Sequence, residues 1–273
     1  MGLLSKFLGG QIGLGDRIGL EAACGSDTGK RRKNNEDNFY FDGESMPANN
    51  AGTPSILTRE VPERQSCYFA VLDGMGGGDY GEIASSSAAE AIHGFLSQDG
   101  NVNPCDITPS LTALCRQANE SVFRAGENLG AYQMGSTLVS FYFHQDQVWV
   151  CDLGDSRGYL MRDDMLIQLS VDHTDEAEMK ANNITGRKPK LTQYLGIDPE
   201  VMTIVPYIRS RKVKPGDRFL LCSDGVTDMV EEDRIRQLLR QSETPHECVR
   251  RLIDAALEAG GRDNITAIVV DVQ

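Results

Sequence analysis

Thr137-Leu138-Val139-Ser140-Phe141-Tyr142-Phe143-His144-Gln145-Asp146-Gln147-Val148-Trp149-Val150-Cys151-Asp152-Leu153 reads as two strands, Thr137 to His144 and Gln147 to Leu153, joined by a tight turn. β-Branched and aromatic residues dominate both halves, and the polar break is too short for anything but a hairpin. The design repeats at once: Arg157 to Arg162 and Leu166 to Leu169 flank Asp163-Asp164. Upstream, Cys67 to Leu72 has the apolar run of a buried strand. Tyr80 to Leu96 then has helical spacing, and Thr108 to Asn128 sets Leu111, Leu114, Cys115, Ala118 and Val122 on one helical face. Downstream the pattern predicts strands near Thr203 to Arg209 and Arg218 to Cys222, helices over Glu231 to Gln241 and Pro245 to Ala259, and a closing strand, Ile265 to Val272. Strands and helices come in blocks rather than in strict alternation. That predicts an α+β fold, with antiparallel sheets and helices packed outside them.

The remaining segments are less regular. Residues 1 to 17, rich in Gly and Leu, read as a flexible N-terminal tail before a single domain over 18–273. Gly43 to Gln65, with Pro47, Pro54 and Pro62, reads as one long loop, and Asp172 to Pro189 is polar and irregular.

The chain has 273 residues, ample for a full core, and a net charge of -13 from 27 Lys and Arg against 40 Asp and Glu. Such a field repels nucleic acid and anionic membrane, so neither is an expected partner. No apolar run reaches the ~20 residues of a membrane helix, and the N-terminus lacks the pattern of a signal peptide. Met1-Gly2-Leu3-Leu4-Ser5-Lys6 resembles a myristoylation signal, but Lys6 stands where Ser or Thr is required. The seven cysteines are odd in number and form no C-x-x-C pair, which argues against a disulfide framework or zinc site and for a reducing cytoplasm. No exposed apolar stripe stands out, so a monomer is expected.

Five aspartates sit where apolar strands begin or end. Asp73 follows Tyr68 to Leu72, Asp224 follows Phe219 to Ser223, and Asp155 follows Val148 to Gly154. Asp37 precedes Phe39-Tyr40-Phe41, and Asp263 precedes Ile265 to Val269. A single such Asp usually caps a turn or faces water. Five that converge at one edge of a sheet would repel one another unless cations stood between them. Oxygen ligands without His or Cys favour Mg²⁺ or Mn²⁺ over zinc. Gly74, Gly225 and Gly260-Gly261 flank these positions and allow close backbone approach.

Two other features carry alternatives. Lys30-Arg31-Arg32-Lys33 is the densest cationic run; such runs are mostly solvated loops, though one Arg beside metal-binding carboxylates could grip a phosphate with its planar fork. Gly76-Gly77-Gly78-Asp79-Tyr80-Gly81 matches the G-x-G-x-x-G of a dinucleotide loop. Against it, a second helix follows where a βαβ unit needs a strand, and Asp73 would face the pyrophosphate.

Arg32-Lys33-Asn34-Asn35-Glu36-Asp37, Asp73-Gly74-Met75-Gly76-Gly77, Met134-Gly135-Ser136-Thr137, Gly154-Asp155-Ser156-Arg157, Asp172-His173-Thr174, Ser223-Asp224-Gly225 and Gly261-Arg262-Asp263-Asn264-Ile265-Thr266 resemble, in order, the motifs of metal-dependent Ser/Thr protein phosphatases of the PP2C (PPM) type. The Asp-Gly-Met-Gly-Gly form resembles the bacterial branch. The resemblance implies an αββα four-layer sandwich, two antiparallel sheets flanked by helices. It implies two core Mn²⁺ or Mg²⁺ ions. Asp73 would bridge them, the Gly74 carbonyl would complete the first, and Asp224 and Asp263 would hold the second. Asp37, with Glu36, would sit on or beside the ions. Asp155 and Asp224 are candidates for a third ion carried by some bacterial members, helped by Asp228, and Arg32 matches the phosphate-binding arginine. The implied activity is attack of metal-activated hydroxide, in line, on phosphoserine or phosphothreonine in proteins, with metals and Arg32 stabilising charge on the phosphoryl oxygens. The implied partners are phosphorylated proteins and a cognate Ser/Thr kinase.

The chain departs from the family in places. Met75 stands where some members carry a His proposed to protonate the leaving group, and Met cannot donate. His173 reads as structural, in a helix-capping turn; His93, His144 and His246 fall outside every motif. The flap that follows Asp-His-Thr, about residues 175–195, looks short and carries Lys180, Arg187, Lys188 and Lys190. A silent phosphoprotein-binding module and a two-metal hydrolase of small phosphoesters are the competing readings. The retained Asp37, Asp73, Asp224 and Asp263 argue against the first.

Overall fold

The computed structural model describes residues 18–63, 65–76, 80–98, 102–131 and 133–273; the expected tail, 1–17, lies outside them. Two six-stranded arrays of antiparallel strands form the centre. The first sheet runs in space Leu57–Val61 (β3), Leu20–Asp27 (β1), Ile265–Val272 (β12), Arg218–Cys222 (β11), Arg157–Arg162 (β8), Met165–Gln168 (β9). The second runs Tyr207–Lys212 (β10), Gln147–Leu153 (β7), Leu138–His144 (β6), Cys67–Met75 (β4), Asp37–Phe41 (β2), and the short Gly135–Ser136 (β5) pairs with the end of β4. Helices Gly81–Leu96 (α1) and Ile107–Leu129 (α2) cover the second sheet; Glu232–Gln241 (α5) and Pro245–Glu258 (α6) cover the first. The expected α+β, four-layer αββα arrangement is therefore the observed one.

Both sheets are buried on both faces, and the period of two in a strand sorts the side chains. In β4, Phe69 and Val71 join the core between the sheets, while Tyr68, Ala70 and Leu72 join the core under α1 and α2. In β12, Ile268 and Val270 face the other sheet and Ala267 and Val269 face α6. Such strands read as unbroken apolar runs, which is why they were legible. Phe141, Phe143 and Phe219 meet edge to face at 5.3–6.1 Å in the inter-sheet layer. Arg162 pairs with Met165 across a two-residue loop in which Asp163 and Asp164 both have positive φ (51° and 62°); that is the twist a tight hairpin demands.

Three expectations need correction, and one strand has no counterpart in the sequence pattern. The Gly43–Gln65 segment is not one loop, since Leu57–Val61 forms edge strand β3 against β1. Its exposed face carries Thr58 and Glu60, so its sequence lacks an apolar run. Leu20–Asp27 is a central strand that composition did not mark. Its small residues answer to close packing: a Cβ on Gly25 would come within 2.6–2.9 Å of Ile56, Ile253 and Val249. The strand placed at Thr203 to Arg209 begins only at Tyr207, after Pro206, which has no amide hydrogen to pair. Asp172 to Pro189 contains one short helix, Glu176–Ala181 (α3). The chain returns from α2 into strands antiparallel to β4, so the glycine-rich stretch opens no parallel βαβ unit.

Candidate active site

Strand register builds the site. In the β2–β4 ladder Asp37 lies directly opposite Asp73. Asp73 is inside β4 rather than beyond it, and its amide donates to the Thr137 hydroxyl (3.0 Å), which contacts the Ser156 hydroxyl at 2.7 Å. The Gly74 amide donates to the Glu36 carbonyl (3.1 Å). A Cβ on Gly74 would lie 2.0 Å from the Gly81 carbonyl oxygen and 2.5 Å from that of Glu36, so the position admits only glycine.

The opposite wall comes from the first sheet. Asp224 opens a short helix, Asp224–Thr227 (α4), at the end of β11, and Asp263 stands just before β12. Gly225 lets these two segments touch: a Cβ there would sit 1.8 Å from the Asn264 carbonyl oxygen. The Asn264 side chain accepts from the Glu36 amide (2.8 Å) and donates to the carbonyls of Thr28 (2.9 Å) and Asn34 (3.0 Å). It ties the basic loop to Asp263. Asp155 follows Gly154 (φ 110°) in the turn between β7 and β8.

Arg32, Glu36, Asp73, Gly74, Asp155, Asp224 and Asp263 line one cleft of about 690 Å³, with Lys188, Lys190 and Tyr194 on its rim. Asp37 lies behind it, 1% exposed, its carboxylate accepting from the Ser223 hydroxyl (2.7 Å). Asp228 lies outside, at the end of α4, with its side chain half exposed.

The charges in this cleft conflict. Burial, with repulsion from Asp224 and Asp263, pushes Asp37 up to about 7 despite its hydroxyl bonds. Burial and the charges of Asp37, Asp224, Asp155 and Asp263 hold Asp73 well above the carboxylate range. Burial and Asp224 raise Asp155 to about 6, and burial raises Asp224, opposed by Lys188. Two protein cations answer part of this charge. Arg32 donates from Nη2 to Asp263 Oδ2 (2.7 Å), and Lys188 Nζ bonds Asp224 (2.5 Å) and Asp228 (2.9 Å). With Asp224 and Asp263 drawn to these partners, no three ligand side chains stand at metal spacing among the described residues.

The residues nonetheless fit divalent ions. Buried carboxylates that raise one another's pKa call for positive charge between them. The donors are oxygens, with no His or Cys in the cleft lining, which suits Mg²⁺ or Mn²⁺. On the Asp224–Asp228 pair part of that positive charge comes from the chain itself, the Lys188 ammonium.

Sequence reasoning missed the part played by Lys188, which stood in the flap as one of four basic residues with no assigned contact. It also missed the bracing of Asp155. His173 accepts at Nδ1 from the Gly154 amide (3.3 Å), lies 3.4 Å from Asp152, and donates its own amide to the Gly154 carbonyl (2.8 Å). Burial lowers its pKa. It therefore stands outside the cleft as a neutral brace.

The sequence matches the protein phosphatase 2C family over residues 55–258. It is 32% identical over 258 residues to the serine/threonine protein phosphatase PstP of Mycobacterium tuberculosis, covering 93% of this chain and 45% of that protein. It is 30% identical over 265 residues to the serine/threonine phosphatase stp of Listeria monocytogenes, covering 92% and 96%. The chain thus spans less than half of PstP and nearly all of stp. The crystal structure of the PstP catalytic domain in complex with two manganese ions superposes with a TM-score of 0.72 at 30% identity, covering 93% of this chain and 99% of that one.

Proposed function

The chain belongs to the protein phosphatase 2C family, and on that premise we propose that it is a metal-dependent phosphatase of phosphoserine and phosphothreonine in proteins. The observation that carries this reading is the ladder that sets Asp37 opposite Asp73 at the same cleft as Asp224, Asp263 and Arg32. Asp73, Asp37, the Gly74 carbonyl, Asp224 and Asp263 would hold two Mn²⁺ or Mg²⁺ ions, and Asp155 and Asp228 flank them. When bound, the ions supply Lewis acidity, lowering the pKa of the attacking water and drawing charge from the phosphoryl oxygens.

The chain supplies the rest. Arg32, 47% exposed at the rim, presents a fork that matches two phosphoryl oxygens; its contact with Asp263 keeps it aimed into the cleft. Asn264 fixes the loop that carries Arg32, so the fork and the carboxylates keep one geometry. The His173 brace holds Asp155. Met75 lines the cleft and offers no proton; the leaving Ser or Thr oxygen takes its proton from water in the open cleft.

Residues 18–273 act as one domain, with 175–195 as a flap over the cleft, and the chain works as a monomer. No helix of the described residues is long and apolar enough to cross a membrane, and a cytoplasmic enzyme reversing a Ser/Thr kinase suits the unpaired thiols. The test is hydrolysis of a phosphothreonine peptide and of a small aryl phosphate by metal-stripped protein before and after Mn²⁺. Metal-restored turnover of the peptide, at higher kcat/KM than the small ester, supports the reading. Preference for the small ester would replace it with a general phosphoesterase.

A further inference from the structure

Lys188 is delivered to the acidic cleft by a fastened turn. The Asp175 carboxylate takes Arg187 on both oxygens (2.6 and 3.3 Å) and also the Lys190 amide (2.7 Å), while the Asp175 amide donates to the Lys190 carbonyl (2.9 Å). The residue before Lys188 and the second residue after it are thus both pinned to one side chain. Pro189 between them restricts the backbone further. From that base the ammonium reaches Asp224 Oδ2 at 2.5 Å and Asp228 Oδ2 at 2.9 Å. Asp155 faces the same charge.

Asp155, Asp224 and Asp228 are the carboxylates that the family resemblance offers to a third, outer ion. An ammonium and a divalent ion cannot share them. An Mg²⁺ would need its oxygens at about 2.0–2.1 Å, in the space the lysine donors use, and two cations a few ångströms apart repel strongly in a partly buried site. At the core positions the protein cations engage one oxygen of each carboxylate, Lys188 the Oδ2 of Asp224 and Arg32 the Oδ2 of Asp263. Asp73 carries no protein cation among the described residues, so a core ion can still take the second oxygens.

We propose that Lys188 is a built-in cation that fills the outer position, so that this chain binds two divalent ions and excludes a third. The inference rests on the phosphatase reading and refines its metal count. The carboxylate pair is partly neutralised without solution metal, and Asp228 serves as a lysine anchor rather than a metal ligand.

Calorimetric titration of the metal-stripped full chain with Mn²⁺, for wild type, Lys188→Met, and Lys188→Met with Asp228→Asn, tests this. Melting curves and circular dichroism check that each variant is folded. The expected result is two sites in wild type, a third in Lys188→Met at least tenfold tighter than any third step in wild type, and its loss again when Asp228→Asn is added. Lys188→Arg should keep two sites. Two sites in every variant, or a third of equal affinity in wild type and Lys188→Met, overturns the lysine proposal and leaves the phosphatase reading standing. Absence of Mn²⁺ binding in all of them overturns both.

Discussion

Strands β11 and β12 carry acids at both ends, with opposite provision for them. At the Arg218–Asp271 end, Arg218 bonds both oxygens of Asp271 at 2.6 Å, Arg162 bonds both oxygens of Asp217 at 2.5 and 2.7 Å, and Arg240 meets Asp164 at 3.0 Å. Arg218 also caps the carbonyls of Leu239 and Ser242. Asp271 and Asp217 each have a planar fork on both oxygens. At the other end, Asp37, Asp73, Asp155, Asp224 and Asp263 share Arg32 and Lys188, and the buried ones are driven toward protonation. The fold can pair a carboxylate with arginine wherever the strands end. Where it does not, charge has been left for something from solution. The first end holds the sandwich together; the second end carries repulsion that a divalent ion relieves.

Variants at each end should break that contrast differently. Asp73→Asn should lower kcat/KM on a phosphothreonine peptide by well over the ~100-fold typical of groups behind a metal ligand, while the metal-free protein melts no lower than wild type because one repulsive charge is gone. A metal-free melting point well below wild type would place Asp73 with the structural acids instead. Arg162→Met should do the reverse. It strands Asp217, 3% exposed, at a cost of about 3–5 kcal/mol, and denaturant curves should show that loss with unchanged Mn²⁺ affinity.

Mn²⁺ itself should stabilise the wild type by about 2.7 kcal/mol at a hundred times its dissociation constant. Asp73→Asn should lose most of that shift and Arg162→Met should keep it; equal shifts in both would erase the distinction between the ends. Arg32→Lys replaces a fork with a point charge. It should raise KM for the phosphopeptide about tenfold with a smaller change in kcat, and an unchanged KM would remove Arg32 from phosphate binding.

The last test concerns pH and Asp152. It is buried beside His173, its Oδ1 has no hydrogen-bond partner, and burial raises it to about 8. The folded state then holds a proton that the unfolded chain releases near pH 4. Stability from this group is therefore full in acid and is lost as pH rises toward 8. Asp152→Asn should flatten the fall in melting temperature between pH 5 and 8; a slope identical to wild type would show that Asp152 is ionised throughout.

Much of this was readable in the chain. Doubly buried strands such as Cys67 to Leu72 and Ile265 to Val272 spell unbroken apolar runs, and their ends gave away Asp73 and Asp263. Leu57–Val61 hid because an edge strand with one wet face alternates Leu, Thr, Arg, Glu and Val. Leu20–Asp27 hid because tight packing selected Ala22, Ala23 and Gly25 over β-branched residues. That the acids meet at all depends on antiparallel register between residues far apart in sequence, Asp37 and Asp73 above all. Lys188 was the least legible, since its role depends on Arg187 and Lys190 both being fastened to Asp175.

The account stands on divalent ions at the cleft end. Anomalous scattering from crystals grown with Mn²⁺ would show them directly. Two peaks about 3.5–4 Å apart, one on each side of Asp73 and the second against Asp224 and Asp263, are the predicted result. A cleft without manganese peaks, with Asp224 still on Lys188 and Asp263 still on Arg32, would contradict it.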